Sequence, residues 1–369
     1  MTAMVRYTAR TFRYARSWLS GDADVVEREV DVDRGDRRVP ATLVLPTRGR
    51  APYPAWIILH GVTRPGRAHP QLVRFVHAVA HAGSAVLVPE VPEWRRLHLA
   101  STRTLPTVLG AVEVLERLPD VARGPPGLMG FSFGAPQAIA ISGEEALAGR
   151  LAGVAGFGGF CDLERTLRFQ LTGEHEWEGR HWRVRPDPYG RWIVGGNYLP
   201  RVPGHGDAED VAAALHGLAT EAGDRRVPSW DPVYDSLIER LRAAVAPGRR
   251  ELFDLFAPTS DRDVDAAAAE PVVRALAATV AEIEPGLAPG PRLDRVRVPV
   301  ELIHGRGDRL IPFTESLRLR KRLPDRVAGK VTVTRLFSHT RGDPLPSLLR
   351  RSWEGMVFAA ALRRVLATV

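Results

Sequence analysis

Hydrophobic and polar positions follow two periods along this chain. Val25–Val32 and Arg38–Leu45 alternate residue by residue and are joined by Asp33-Arg34-Gly35-Asp36, which predicts a β-hairpin with one covered face. Ala55–His60 is instead a nearly unbroken apolar run that stops at Gly61, as expected of a strand buried on both faces of a sheet. Ala85–Val88, Gly127–Phe131 and Leu151–Phe157 repeat that pattern. Between these runs the period lengthens to that of a helix. His69–His81 stops at Gly83, Thr104–Leu118 stops at Pro119, and a small-residue stretch runs from Phe133 to Ile141.

After Cys161 the strand runs cease. Asp207–Ala222, Asp231–Val245 and Ser260–Ile283 read as helices separated by Pro- and Gly-rich joints. Alternation then resumes, with strands at Val298–His304 and Val331–Phe337 and helices at Pro312–Leu323 and Leu345–Val365. The order predicts an α/β fold with a doubly wound, mostly parallel sheet. Residues 25–160 and 298–369 would form one discontinuous domain, and 161–297 a helical cap inserted into it. Residues 1–24 form an arm ahead of the hairpin. In it Met4, Tyr7, Thr11, Ala15, Trp18 and Leu19 recur at helical spacing, with Arg6, Arg10 and Arg13 between them. Such a basic amphipathic helix either packs on its own domain or lies on an acidic membrane surface.

The candidate chemistry sits at the ends of the predicted strands. Gly130-Phe131-Ser132-Phe133-Gly134 falls between a strand and a helix. A nucleophilic serine needs that setting: a strained turn exposes its hydroxyl, flanking glycines admit the neighbouring backbone, and the helix N-terminus faces a developing oxyanion. The bland alternative is a glycine-rich turn that packs a helix onto a strand. A serine nucleophile also needs a base, and the base an orienting acid. The strand Val298–His304 leads to Asp308, and the strand Val331–Phe337 leads to His339, so the order is Ser132, Asp308, His339. Glu301, inside a strand, and Asp343, beyond the histidine, are the local rivals for the acid; capping of the next helix is the bland role for Asp308. Oxyanion donors are expected from the backbone N–H of Phe133 and of Val62 or Thr63, in the loop that follows His60-Gly61. His60 itself is expected to shape that loop.

These motifs (His60-Gly61, Gly130–Gly134, His304-Gly305-Arg306-Gly307-Asp308 and Ser338-His339) resemble those of the α/β-hydrolase superfamily over residues 25–160 and 298–369. The early hairpin and the Ser-Phe-Gly turn look like the dienelactone-hydrolase and acyl-aminoacyl-peptidase-like branch. Two departures stand out. Dienelactone hydrolases of that branch carry a cysteine nucleophile where this chain has Ser132, and the His-Gly-Gly-Gly loop of many lipases is absent because Val62 follows Gly61. The resemblance implies a serine hydrolase of carboxylic esters or related acyl compounds. An acyltransferase, thioesterase or peptidase would use the same residues, with no metal and no cofactor.

Composition adds a second line. The 369 residues carry a net charge of +8, and the basic side is almost entirely arginine, with only Lys321 and Lys330 as lysines. An acidic membrane surface or a nucleic acid is the partner class that such charge suggests, although no zinc-finger, helix-turn-helix or aromatic-basic RNA signature accompanies it. A basic binding module without catalysis is therefore the alternative of another class. Arg64 and Arg67 flank the oxyanion loop and would suit an anionic group on a substrate. Glu90 and Glu93 follow a strand and either line a pocket or pair with Arg95 and Arg96. Trp177, Trp182, Trp192 and Trp230 either line an acyl pocket or fill the core of the insertion. One cysteine, Cys161, excludes an internal disulfide framework. No apolar run spans a bilayer and the first residues lack a secretory core, so a cytoplasmic protein is expected, with peripheral membrane contact through residues 1–20 left open.

Overall fold

The computed structural model describes residues 3–225, 227–336 and 348–369. Helix α1 (Ala3–Ser20) opens the chain. The first half of the sheet domain follows as β1 (Val25–Asp33), β2 (Arg38–Pro46), β3 (Ala55–Leu59), α2 (Pro70–His81), β4 (Ala85–Pro89), the single turn α3 (Pro92–Arg95), α4 (Thr104–Arg117), β5 (Gly127–Phe131), α5 (Gly134–Ile141) and β6 (Gly153–Phe157). The next segment holds α6 (Leu163–Thr172), β7 (Glu174–Trp177), β8 (Arg180–Arg183), α7 (Tyr189–Tyr198), α8 (Glu209–Arg225), α9 (Asp235–Ala244), α10 (Arg250–Phe256) and α11 (Ala266–Ile283). The sheet is completed by β9 (Val300–Gly305) and β10 (Val331–Thr334), with α12 (Phe313–Arg322) between them and α13 (Leu348–Leu366) after them.

Eight strands form one sheet in the order β1-β2-β4-β3-β5-β6-β9-β10. The hairpin β1/β2 and the β2/β4 pair are antiparallel. The pairs from β4 to β10 are parallel. The apolar runs have a simple cause: alternate residues of each central strand feed two different cores. Ile57, Leu59, Leu128, Val154 and Leu302 join the core shared with α4, α5 and the β6–β9 segment. Trp56, Ile58, Met129, Ala155 and Ile303 join the core under α1, α2 and α13. Helix α2 shows the matching helical period, with Leu72, Phe75, Val76 and Val79 buried and Pro70 in its first turn.

The segment between β6 and β9 is richer than its pattern suggests. The ribbon β7/β8 was not expected, because a two-stranded surface ribbon gives no apolar run; its residues are all exposed or half-buried. Helix α7 was also missed. Its glycines break the apolar period, yet they are needed for packing, since a Cβ at Gly195 would lie 2.7 Å from Leu215. The expected Ser260–Ile283 helix begins only at Ala266, where the Asp265 carboxylate accepts the Ala267 and Ala268 N–H groups.

The arm α1 packs against α2 and α13. Tyr14 is buried, stacks with Trp18 and meets Phe75 edge-on. The buried Arg10 guanidinium donates to the carbonyl oxygens of Leu366 and Val369 and to the Ser84 hydroxyl. Phe12 and Leu19 remain exposed on the outer face. No helix among the described residues is long and apolar enough to cross a membrane.

Candidate active site

Ser132 occupies the turn between β5 and α5 with φ of +53°. A side chain in that left-handed region costs about 1–2 kcal/mol, so the turn has to be held from both sides. Its N–H donates to the Phe157 carbonyl of β6 at 2.8 Å, and its carbonyl accepts from the Ala135 N–H at 3.0 Å. The flanking glycines are required by close backbone approach. A Cβ at Gly130 would lie 2.1 Å from the Gly134 carbonyl oxygen, and one at Gly134 would lie 2.7 Å from that of His60. The same crowding brings the two loops together: a Cβ at Gly61 would stand 3.1 Å from Ser132 Cβ and 3.6 Å from its Oγ. The turn places Ser132 at the N-terminus of α5, an entirely buried helix that follows the C-terminal end of a central strand.

The His60–Ala68 loop is fixed from below. The buried His60 ring faces the Gly61 carbonyl with Nδ1 at 2.7 Å and receives the Val91 N–H at Nε2 at 3.1 Å, which sets the proton on Nδ1. Glu90 is buried beside it, with Oε1 2.9 Å from Nε2 and Oε2 3.6 Å from both Arg67 Nε and Arg95 Nη1. Val62 is buried and Thr63 accepts the Gly66 N–H on its hydroxyl at 3.3 Å. Trp94 stands edge-on to both His60 and Phe133, and Phe133 stacks with Phe160, so an aromatic wall lines this side.

Asp308 lies beyond the end of β9, two strands from β5, and is buried. It does not cap α12, whose first turn follows Pro312. Its Oδ1 instead accepts the Leu310 and Ile311 N–H groups at 2.9 and 3.1 Å and closes the loop on itself. His304 supports that loop: its ring bridges the Ser316 hydroxyl and the Ile311 carbonyl, with Nε2 3.7 Å from Asp308 Oδ2. Glu301, the rival inside β9, is paired with Arg364 at 2.9 Å. His339 and Asp343 lie outside the described residues.

The remaining expected residues are placed as follows. Arg64 donates to Asp224 of α8 at 3.1 Å, and Arg67 to Glu29 at 2.7 Å and to Thr42. Glu93 pairs with Arg34 and Arg37 of the β1/β2 hairpin, not with Arg95 or Arg96. Trp177 lies under Arg318 and Lys321, and Trp182 packs on His175 and Phe313, so both sit against α12. Trp192 is core, its indole N–H bonded to the Phe256 carbonyl. Trp230 is stacked by Arg309, the residue after Asp308.

Sequence reasoning did not single out Asp187. This carboxyl is fully enclosed between α7 and the Asp308 loop, and its N–H donates to the Arg309 carbonyl at 2.6 Å. Burial pushes its carboxyl up to about 6. Hydrogen bonds from the Tyr189 N–H and Ser229 oppose that shift, the charge of Asp308 adds to it, and Arg191 offsets it again. Nothing in a single Asp between Pro186 and Pro188 announces such burial. Among the described residues, no three His, Cys, Asp or Glu side chains are gathered where they could hold a metal ion.

No protein-family model and no curated protein matches the sequence. Solved structures do match. The acylaminoacyl peptidase of Pyrococcus horikoshii superposes over 95% of this chain with a TM-score of 0.50 at 12% identity; the chain spans 43% of that protein's length. The chain has the α/β-hydrolase fold. Brefeldin A esterase, a bacterial homologue of human hormone sensitive lipase, matches over 98% of this chain and 84% of its own, with a TM-score of 0.49 at 15% identity. Est1E from Butyrivibrio proteoclasticus matches over 91% and 98%, with a TM-score of 0.46 at 13% identity. Likeness at this level concerns the fold and leaves function to the residues. The loops carrying Gly61, Ser132 and Asp308 all leave the C-terminal ends of parallel strands, where open α/β sheets place their ligands.

Proposed function

We propose that the chain is a serine hydrolase of carboxylic esters or related acyl compounds. The observation that carries this reading is Ser132, held at positive φ on the sheet's C-terminal edge with the buried Asp308 carboxylate on the same edge. In this reading Ser132 Oγ attacks the substrate carbonyl and His339 accepts its proton. Asp308 fixes the imidazole tautomer and stabilises the imidazolium. The N–H of Phe133, together with that of Val62 or Thr63, binds the tetrahedral oxyanion. His339 then returns the proton to the leaving group and activates the water that releases the acyl group. Residues 161–297 act as a cap. Asn197 donates to the Leu97 carbonyl at 2.8 Å, Tyr198 to that of Leu99, and Asp224 meets Arg64, so α7 and α8 hold the loops beside the oxyanion turn.

A fluorophosphonate probe tests the nucleophile directly. Wild-type protein should be labelled stoichiometrically and Ser132→Ala not at all, with loss of ester hydrolysis across a chain-length panel. Folded wild-type protein that fails to label, or a Ser132→Ala variant that keeps full activity, overturns the assignment. Product analysis with water, alcohol and amine acceptors separates a hydrolase from an acyltransferase or peptidase built on the same acyl-enzyme.

A further inference from the structure

The strand order puts Ser132 between two loops. The loop after β3 carries Gly61 and Arg64, the loop after β9 carries Asp308 and Arg309, and β5 lies between β3 and β9 in the sheet. One short segment of residues 161–297 touches both loops. At one end the Asp187 N–H donates to the Arg309 carbonyl at 2.6 Å, and the Tyr189 N–H donates back to Asp187 Oδ1 at 3.0 Å. At the other end the Tyr189 hydroxyl and the Arg64 side chain meet at α8: a Cβ at Gly223 would stand 3.2 Å from Tyr189 Oη and 2.6 Å from Arg64 Cγ. The Tyr189 side chain therefore reaches from the acid loop toward the oxyanion loop, across the strand ends that include Ser132.

The backbone under this side chain is fixed. Gly190 lets α7 start directly against Gln170, since a Cβ there would lie 2.2 Å from Gln170 Nε2, and that amide donates to the Leu310 carbonyl at 3.0 Å. Yet Tyr189 Oη, itself buried, has no hydrogen-bond partner among the described residues. Tyr198 and Tyr234, the other tyrosines of residues 161–297, donate to the Leu99 and Val227 carbonyls at 3.3 and 3.0 Å. A buried polar group left unpaired costs about 1–3 kcal/mol, so an orphan hydroxyl beside a candidate active site points to a partner that arrives with the substrate. Burial, and then the charge of Asp187, push this phenol up; Arg64 opposes them and Asp224 adds to them. The group therefore stays protonated and able to donate.

Charge decides which acceptor suits the hydroxyl. Asp187 and Asp224 act on it against the cation Arg64, and Arg64 is already paired with Asp224 at 3.1 Å. A further carboxylate would be repelled there, whereas a neutral carbonyl oxygen accepts a phenol hydrogen bond without that penalty. We propose that Tyr189 contacts the substrate and donates a hydrogen bond to a neutral carbonyl oxygen other than the one Ser132 attacks. The enzyme then selects acyl compounds that carry a second carbonyl. This rests on the serine-hydrolase reading of Ser132. An analogue without the second carbonyl leaves the hydroxyl unpaired, and a site built to hydrogen-bond one group discriminates strongly against a substrate that lacks it.

The test uses the full chain and two matched ester series: p-nitrophenyl hexanoate with its 4-oxo and 5-oxo analogues, and the hexanoate esters of butanol and of 4-hydroxybutan-2-one. Wild type should favour an oxo ester over its plain counterpart by about tenfold or more in kcat/KM in at least one series. Tyr189→Phe keeps the ring and should bring that ratio to about one. Its thermal unfolding temperature should be equal to that of wild type or higher, because an unpaired hydroxyl has been removed. p-Nitrophenyl monoadipate, the matched carboxylate, should gain nothing over the plain hexanoate. Fluorophosphonate labelling of Ser132 keeps two failures apart. A wild type that labels but shows no oxo preference, or a Tyr189→Phe variant that labels and retains it, overturns the proposal and leaves the serine-hydrolase reading standing. A marked fall in the variant's unfolding temperature, which would reveal a structural partner for the hydroxyl, or a preference for the carboxylate ester also overturns it. A wild type that does not label overturns both.

Discussion

Glu90 Oε1 lies 2.9 Å from His60 Nε2 beneath the loop that faces Ser132, and both side chains are buried. The ring's other nitrogen holds the Gly61 carbonyl. In a trans peptide the N–H points opposite to the carbonyl, so tying down the Gly61 oxygen also fixes the direction of the Val62 N–H. His60 thus acts on the proposed oxyanion donor without touching substrate. His60→Ala should lower kcat for ester hydrolysis by about 10–100-fold, short of the full ~3 kcal/mol for a lost donor, while KM changes little. Glu90→Gln should have a smaller effect in the same direction. Steady-state kinetics on both variants, with thermal unfolding as a folding control, would check this; a KM effect at constant kcat would contradict it.

Ser132 is strained where it is expected to work. Glycine tolerates φ of +53° without the Cβ clash, so Ser132→Gly should stabilise the fold by about 1 kcal/mol while removing the nucleophile. Ser132→Ala, which keeps the Cβ, should gain no such stability. Denaturant midpoints for the two variants at equal m-value would separate strain relief from general effects.

Much of the sheet was legible because burial on both faces leaves contiguous apolar runs, as at Ala55–Leu59 and Gly127–Phe131. The Gly-x-Ser-x-Gly turn was legible because its glycines answer a steric demand that no other residue meets. What escaped the sequence depends on contacts between distant segments. Asp187 looks like an ordinary loop acid until α7 and the Asp308 loop close over it. Glu93 looks like a partner for its neighbours Arg95 and Arg96, yet the hairpin supplies Arg34 from a distant position. The β7/β8 ribbon has too few inward residues to show a period.

Asp187 makes stability depend on pH in a defined direction. Its carboxyl titrates near 6 in the folded chain against an ordinary 3.8, so between these values the folded state holds the proton more tightly. Stability from this group is present at low pH and is lost as pH rises from about 4 to about 6. Asp187→Asn keeps an acceptor for the Tyr189 N–H and removes the charge. The variant should be more stable than wild type above pH 6, by at most about 3 kcal/mol, and should lose this pH dependence. Unfolding temperatures from pH 4 to 8 for both proteins would show converging curves at the acidic end.

Arg34 gives the opposite sign. Its side chain is fully buried and donates to both oxygens of Asp36 and of Glu93. The Arg34 hydrogen bonds are the main cause that holds Asp36 down to about 2. Burial pushes Glu93 up, but the hydrogen bonds and charges of Arg34 and the charge of Arg37 outweigh it, and its carboxyl is also lowered. Depressed carboxylates stabilise the fold above their ordinary range and lose that contribution as pH falls from about 4.5 toward 2. Arg34→Met keeps the packing volume but leaves the two acids, among the described residues, with Arg37 and Arg103. It should destabilise the fold at neutral pH by less than the ~3–5 kcal/mol lost when a fully buried ion pair is broken, because Asp36 is exposed to solvent, and should flatten the acid limb of the stability curve. Glu93 sits beside Trp94, which packs on His60 and Phe133, so the same change should also loosen the oxyanion loop and lower kcat. Loss of stability with wild-type kcat would show that the hairpin supports the fold alone.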